Sequence, residues 1–320
     1  MFTVIIPLYN KSHTIIGTLS TALNQTYKEF EIVIVDDGST DDGVQMIINS
    51  TSDARIRIIG QENQGVSVAR NTGVANAKYD YIAFLDGDDE WLPEYLSKLS
   101  EAIAQFPDSD MFCSAGLGRS AIGITSKRQI NKYDGKVVSF NFFENPHVFL
   151  HIGATVVTKK LFNKANGFPI GMKRNEDFAF LYSAALFTQP IYSGFPLSVY
   201  VGGVAGQATS QSIYENQNLL NDTVCRYNLV YKNWIKSGAK NTSFIVFMKY
   251  ELRHFFMINV YNNEFATNNY CLNNLDSDIL NHFNYLDKKI LQSTRFKKAT
   301  ILYFKFTKLK WLTNGYQRVK

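Results

Sequence analysis

Cysteine is scarce in this chain of 320 residues. The three cysteines, Cys113, Cys225 and Cys271, are odd in number and far apart. That pattern excludes a small disulfide-stapled fold and gives no support to a thiolate metal site. We therefore expect a protein of a reducing compartment, whose stability comes from a packed core. With 45% hydrophobic and 14% aromatic residues, the sequence can supply such a core.

Long apolar runs are lacking as well. No window approaches the roughly 18 consecutive apolar residues of a membrane-spanning helix. The first residues, Met1–Pro7, have the pattern of a strand and lack the basic segment and cleavage site of a secretory signal. These features predict a cytoplasmic protein, either soluble or peripheral at the inner face of the cell membrane.

Two glycine motifs that bind phosphate groups are absent. The chain contains neither a G-x-G-x-x-G sequence nor a Walker A sequence, which argues against a dinucleotide-binding fold and a P-loop enzyme.

Acidic residues are missing from the end of the chain. Ten of the 33 basic residues lie between Lys288 and Lys320, where there is no acid, so the preceding residues carry 23 bases against 28 acids. Cations interleaved with aromatic and aliphatic residues suit a helix in an anionic membrane interface, and residues 289–320 are the expected contact. The alternative is a basic helix packed on the acidic body. No nucleic-acid recognition motif is present.

The most informative stretch that is present runs from Tyr81 to Pro93. Its apolar residues end in three acids, Asp86, Asp88 and Asp89, with Gly87 between the first two. Acids at the carboxyl end of a buried strand mark a ligand site in an open α/β sheet. Asp86 and Asp88 can turn toward one divalent cation, and their hard oxygen ligands suit Mg²⁺ or Mn²⁺ shared with a diphosphate.

Strand and helix patterns alternate through the first hundred residues, which predicts βαβ units and a mostly parallel sheet. Strand ends near Asn10, Asp37 and Asp86 should converge on one edge of that sheet. Residues 116–143 show no clear period and are interpreted as a loop, whereas a helix is predicted from Asn175. We expect an α/β domain over 1–205, followed by a helical region over 206–320.

Five segments in this order resemble family 2 glycosyltransferases over roughly residues 1–205. They are Val4–Asn10, Val35–Asp41, Gly65–Asn71, Leu85–Asp89 and Asn175–Asp177. The resemblance implies a GT-A fold and an inverting, metal-dependent hexosyltransferase that uses a nucleotide-diphosphate sugar. Its context would be bacterial surface polysaccharide such as O-antigen or capsule, with a saccharide acceptor that is lipid-linked. Residues 1–205 would comprise a nucleotide-binding half (1–115) and an acceptor half (116–205). The Gln-x-x-Arg-Trp sequence of processive polysaccharide synthases is missing, so addition of a single sugar is expected.

The resemblance also implies roles for individual residues. Asp88 would be the direct ligand of Mn²⁺ or Mg²⁺, with Asp86 beside it, Asp177 the catalytic base and Glu176 an acceptor-binding residue. Asp37 matches a carboxylate that accepts from uracil N3–H, which favours a UDP-sugar. With an ordinary pKa near 3.9, Asp177 would be ionised at neutral pH. The expected nucleotide-binding residues are Pro7, Tyr9, Asp37, Arg70 and Asp86.

Several of these assignments have alternatives. Arg70 could instead form an internal salt bridge to Asp36 or Asp86, and Asp36 is expected to be structural. Glu176 and Asp177 could be first-turn acids favoured by the helix dipole. Two histidines, His147 and His151, are more simply structural than metal-binding. Many relatives carry a basic or histidine-bearing segment over the diphosphate, but residues 199–210 contain no His, Lys or Arg.

Two other functions share some of these features. A sugar-1-phosphate nucleotidyltransferase would share the sheet and the metal, but it needs a glycine-rich basic loop that Leu8–His13 does not provide. A catalytically silent carbohydrate-binding or assembly protein would have no need to retain all three of Asp37, Asp88 and Asp177. UDP-sugar hydrolysis with and without a chelator separates these possibilities.

Overall fold

The computed structural model describes residues 1–120, 123–144, 151–204, 217–285, 287–288 and 297–313. The chain divides into two compact units. The first comprises Met1–Phe140, Val148–Met172 and Glu176–Ser210, and the second comprises Asn141–His147, Lys173–Asn175 and Gln211–Lys320. The predicted boundary after residue 205 lies outside the described residues, and it stays a prediction.

Four parallel strands form one half of the sheet of the first unit: β1 (Phe2–Leu8), β2 (Phe30–Asp36), β3 (Ile56–Gly60) and β4 (Tyr81–Phe84). Their order in the sheet is β3-β2-β1-β4. The apolar β-branched run of β1 leaves Val4, Ile5 and Ile6 without any exposed surface, as expected for a strand covered on both faces.

Three helices connect these four strands: α1 (Ile15–Leu23), α2 (Gly43–Ser50) and α3 (Val66–Ala75). A fourth, α4 (Tyr95–Gln105), comes later in the chain. Ahead of α1, the Ser12 amide donates to the Asp41 carboxylate at 2.8 Å. Helix α3 lies very close to β1, since a Cβ atom at Gly73 would stand 2.5 Å from Cγ2 of Ile5.

The second half of the sheet is mixed. β9 (Thr155–Thr158) runs antiparallel to both β4 and β6 (Met111–Ser120), whereas β10 (Ile191–Val201) runs parallel to β6. The short β5 (Glu90–Trp91) pairs with β10 at the far edge. The α/β fold class is thus confirmed, with helices on a central sheet, although parallel pairing is complete only among β1–β4. Two further helices, α5 (Lys159–Lys164) and α6 (Glu176–Ala185), belong to this unit.

The interpretation of residues 116–143 as a loop is wrong. They contain the end of β6, β7 (Gly123–Arg128) antiparallel to it, and β8 (Val137–Ser139) antiparallel to β10. Ser126 and Lys127 are exposed. Because consecutive residues of a strand point to opposite faces, both faces of β7 are open to solvent at these two residues. Its polar side chains mask the apolar pattern on which the prediction relied.

The second unit is helical, as predicted for the C-terminal region. Its helices are α7 (Gln217–Lys236), α8 (Thr242–Tyr261), α9 (Phe265–Asn274), α10 (Ser277–Asn281) and α11 (Lys297–Thr313). Aromatic packing forms its core, with the rings of Phe143 and Phe244 5.3 Å apart. Helix α11 contacts α8 and buries Phe304. Within the described ranges, none of the helices combines the length and hydropathy needed to cross a membrane.

Candidate active site at the carboxyl edge of the sheet

The ends of β1, β2 and β4 meet at one edge of the sheet because these strands are parallel neighbours. Asn10 turns the chain there with a left-handed φ of 50°. Its side-chain oxygen Oδ1 accepts from the backbone amide of Thr40 at 2.8 Å, and the backbone amide of Asn10 donates to Ser39 Oγ at 3.1 Å. The loops that follow β1 and β2 are therefore fixed to each other. The predicted convergence of the strand ends is observed.

Asp37 is buried directly beyond β2, with 3% of its surface exposed. Oδ1 accepts from Gln61 Nε2 at 2.7 Å and the Gln64 amide at 2.9 Å, and Oδ2 accepts from the Gly65 amide at 2.8 Å. A carboxylate has about four acceptor positions, so these bonds leave capacity for one ligand N–H. Nearby, Tyr9 is 47% exposed, which leaves its ring surface open for stacking.

Asp36 differs from its neighbour. Its Oδ1 accepts from the Ser39 amide at 3.0 Å and closes the turn after β2. This contact matches the structural role expected for Asp36. Pro7 lies beside this turn in β1, in register with Val35 of β2.

The two predicted metal-binding acids follow β4. Asp86 Oδ1 lies 2.6 Å from Arg70 Nη2, and Asp88 Oδ2 lies 2.6 Å from Lys11 Nζ. The side chain of Asp86 is 29% exposed and that of Asp88 12%. The sequence analysis did not single out Lys11. Its position next to the Tyr9-Asn10 motif was the available signal, but its partner is 77 residues away.

The carboxylate oxygens of Asp86 and Asp88 are donor atoms that a hard divalent cation prefers. Among the described residues, no group of three or more His, Cys, Asp or Glu side chains is arranged to hold a metal ion. Two carboxylates are nevertheless a common protein share for Mg²⁺, which keeps water and substrate phosphate oxygens as its other ligands. Asp86 and Asp88 would therefore hold a cation together with a bound diphosphate.

Arg70 is a buried link between two parts of the site, with 3% of its surface exposed. It contacts Asp86 through Nη2 and the Glu176 carboxylate through Nη1 at 3.0 Å. Its guanidinium also lies over the Phe168 ring at 5.0 Å. The structure thus shows the internal salt bridge to Asp86 that the sequence left open. Contact of Arg70 with a nucleotide stays a prediction.

Asp177 lies in the first turn of α6, next to the buried Glu176. Part of Asp177 reaches solvent. Desolvation by the surrounding protein and the charge of Glu176 raise the pKa of Asp177 to about 7, against a smaller lowering effect of Arg70. The expectation of an ordinary carboxylate pKa is therefore wrong. A carboxyl group with a pKa near 7 can act as a general base close to neutral pH.

Residues beside the acidic turn complete this part of the first unit. Asp89 accepts from the Val201 amide at 3.0 Å, and His151 Nε2 lies 3.0 Å from Ser198 Oγ. Burial lowers the pKa of His151 to about 4, so the ring is neutral. These contacts support a structural His151. The sequence analysis did not anticipate Arg128 of β7, which lies 4.7 Å over the Tyr200 ring. His147 and residues 205–210 lie outside the described residues.

Comparison with known proteins identifies the family. Residues 3–165 match the family described as Glycosyl transferase family 2. Over 98 residues, the chain is 46% identical to the Escherichia coli UDP-Glc:alpha-D-GlcNAc-diphosphoundecaprenol beta-1,3-glucosyltransferase WfaP, covering 30% of this chain and 39% of that protein. It is 42% identical over 105 residues to glycosyltransferase GlyA of Streptococcus pneumoniae, covering 32% of this chain and 15% of that protein. The chain thus spans less than half of either relative.

Solved structures support the fold. TarS residues 1–349 of S. aureus, crystallised with UDP-GlcNAc, superimposes with a TM-score of 0.71 at 18% identity and covers 98% of this chain and 92% of that one. A second TarS structure, with UDP, gives a TM-score of 0.66 at 18% identity over 100% of this chain and 93% of that one. At this identity the likeness shows a shared fold.

Proposed function

The chain belongs to glycosyl transferase family 2, and on that premise we propose that it moves one sugar from a UDP-sugar to a hydroxyl of a saccharide acceptor, with inversion at the anomeric carbon. The observation that carries this proposal is the contact of Arg70 with both Asp86 and Glu176. Through this contact the donor-side acid after β4 and the segment that holds Asp177 form one cluster. A transferase needs its donor and its base held together in this way.

The donor assignment rests on the residues at the carboxyl edge of the sheet. Asp37 can accept from the imide N–H of uracil, and the Tyr9 ring can stack on the base. TarS, which shares the fold, was crystallised with UDP-GlcNAc and with UDP. We assign Pro7 and Asp86 to the nucleotide site as well. Asp88 and Asp86 would hold Mn²⁺ or Mg²⁺, which would neutralise charge on the departing UDP.

In the proposed reaction Asp177 accepts the proton of the acceptor hydroxyl. The oxygen then attacks the anomeric carbon from the side opposite the UDP leaving group, and Glu176 helps to orient the acceptor. One displacement with one base inverts the configuration, whereas retention requires a second, nucleophilic carboxylate. A base with a pKa near 7 is ionised in about half of the molecules at neutral pH.

We place the protein in the cytoplasm, at the inner face of the membrane, with a lipid-linked acceptor in surface polysaccharide assembly. WfaP acts, by its name, on a diphosphoundecaprenol-linked saccharide. In this chain Leu302, Phe306 and Leu309 are 70%, 63% and 54% exposed and follow one another at helical spacing on α11. Exposed Lys298 and Lys305 lie on the same helix. This arrangement suits an anionic bilayer surface.

The membrane proposal has a direct test. Because Phe304 of α11 is buried, deleting the tail would also remove core packing. The double variant Leu302→Ser/Phe306→Ser changes only exposed positions, so it tests membrane contact without the loss of core packing that a tail deletion would cause. We expect the native chain to sediment with vesicles containing anionic lipid, less so in high salt, and the double variant to remain in solution. The control is Ile170→Ser, at a residue that is 72% exposed in the first unit. Equal sedimentation of all three proteins would refute the assignment.

The catalytic proposal is tested by a screen of UDP-sugars for metal-dependent hydrolysis and transfer. Asp177→Asn should keep UDP binding and lose transfer by roughly 10²-fold or more. Nuclear magnetic resonance of the product should show an inverted anomeric centre. Loss of UDP binding in this variant, or a retained configuration, would contradict the assigned mechanism. Family membership does not favour the nucleotidyltransferase alternative, and measured transfer would exclude a silent binding protein.

A further inference from the structure

Lys11 forms an ion pair with the acid that is proposed to bind the metal. The Nζ–Oδ2 distance to Asp88 is 2.6 Å, and the two side chains are only 16% and 12% exposed. An ammonium group at this distance occupies the position from which a cation would approach Asp88 Oδ2. This pair is therefore different from the exposed Lys98–Glu101 pair on α4, whose side chains are 34% and 64% exposed.

The backbones of both partners are fixed. The Lys11 carbonyl accepts from the amides of Thr14 and Ile15 at 3.0 and 2.9 Å, where α1 begins. Thr14 Oγ1 in turn donates to the Gly87 carbonyl at 2.8 Å, so the acidic turn is tied to the same helix end. The flexible stem of Lys11 can move away from Asp88 while these backbone contacts stay in place. The ion pair can therefore open without a change in the fold.

The charge balance around the two acids bears on metal binding. Asp88 is paired with Lys11, and Asp86 is paired with Arg70. Arg70 is shared with Glu176, so of the two acids only Asp88 has a cation to itself. The ammonium group of Lys11 lowers the negative charge that Asp88 offers to a divalent ion. A diphosphate would add negative charge beside the two acids and would give the displaced ammonium a new partner.

We propose that Lys11 takes the place of the divalent cation on Asp88 while no nucleotide is bound, so that the metal enters the site together with the diphosphate. This inference rests on the proposed metal site at Asp86 and Asp88, and it goes further by assigning a role to Lys11. Metal affinity is then low in the free protein and is created by the nucleotide. The ion pair also keeps Asp88 neutralised between turnovers.

Mn²⁺ binding, followed by the electron paramagnetic resonance signal of the free ion, tests this role without measuring activity. The native chain should bind Mn²⁺ weakly alone and tightly with UDP. Lys11→Met removes the competing charge and should tighten Mn²⁺ binding without UDP by about tenfold or more, as expected for a partly buried pair. Lys11→Gln provides a second neutral variant. Thermal melting checks the fold of each.

Two further variants serve as controls. Lys98→Met removes a lysine from the exposed pair and should leave Mn²⁺ binding unchanged. Asp88→Asn should abolish Mn²⁺ binding with UDP present. If the neutral Lys11 variants bind free Mn²⁺ no better than the native chain, while Asp88→Asn still loses Mn²⁺–UDP, the role of Lys11 is refuted and the metal site stands. If the native chain binds no Mn²⁺ even with UDP, the proposed metal site itself is refuted, and the role of Lys11 with it.

Discussion

The proton affinity of Asp177 gives the sharpest prediction. Since its pKa is raised to about 7, the ionised fraction of the proposed base should fall to roughly one tenth at pH 6 and reach about nine tenths at pH 8. We therefore expect kcat/KM for sugar transfer to rise about tenfold per pH unit below pH 7 and to level off above it. An unperturbed carboxyl group would give a flat profile over this range.

Glu176→Gln separates the causes of this shift. The substitution removes the neighbouring negative charge, which is the second largest cause, while desolvation remains the largest. The amide oxygen of glutamine can still accept from Arg70. We expect the acidic limb of the profile to move to lower pH without reaching the ordinary value of 3.8 for an aspartate. The assay is initial-rate transfer at saturating metal, with the native chain measured in parallel at each pH.

Stability should change in the opposite sense to activity. Folding raises the pKa of Asp177, so its contribution to stability is fully present below the unfolded-state pKa and is lost as the pH rises through about 7. Asp177→Asn cannot ionise and should raise the melting temperature more at pH 8 than at pH 5. A native profile whose limb lies near pH 4, together with a pH-independent melting difference, would refute the assignment of Asp177 as a perturbed base.

Three further predictions concern other parts of the site and its support. Asp88→Asn, or excess chelator with the native chain, should remove most turnover while the fold, followed by circular dichroism, is retained; full activity under either condition would exclude the metal role. Asp37→Asn should weaken UDP binding in calorimetry and destabilise the fold by about 1–3 kcal/mol, because a buried acceptor of three hydrogen bonds is replaced. Gly73→Ala should destabilise by about 1–3 kcal/mol through overpacking against Ile5, measured by denaturant unfolding. Gly17→Ala is the control and should not share the loss, because the added Cβ would meet no atom within 4 Å beyond the adjoining helix backbone.

The parallel half of the sheet was predictable because its strands are short apolar runs that end in polar residues. The runs of β1, β2 and β4 are almost wholly buried and stand out in the sequence, whereas β3 at the edge is partly exposed. Residues 123–139 were not predictable in this way. Strand β7 carries polar residues that are exposed at Ser126 and Lys127, and β8 has only three residues. β7 pairs with the preceding β6, whereas β8 depends on pairing with β10, which lies far along the chain.

The candidate site was predicted in its residue types but not in its electrostatics. The order of motifs pointed to Asp37, Asp88 and Asp177. The partners of these acids depend on folding: Lys11 reaches Asp88 across 77 residues, and Arg70 reaches Glu176 across 106. The raised pKa of Asp177 follows first from desolvation by the folded protein, which no local pattern gives; its second cause, the charge of Glu176, comes from the adjacent residue.

The buried guanidinium of Arg70 serves two acids from different segments as a common counter-ion. Asp86 follows β4 and Glu176 begins α6, yet both depend on the same positive charge. Neutralising either acid alters the field at the other, so the effects of substitutions at the two positions will not add, and a double-mutant cycle between them should show strong coupling. A library designed to change acceptor preference through Glu176 should therefore vary Asp86 at the same time, because useful changes at one position will depend on the residue at the other.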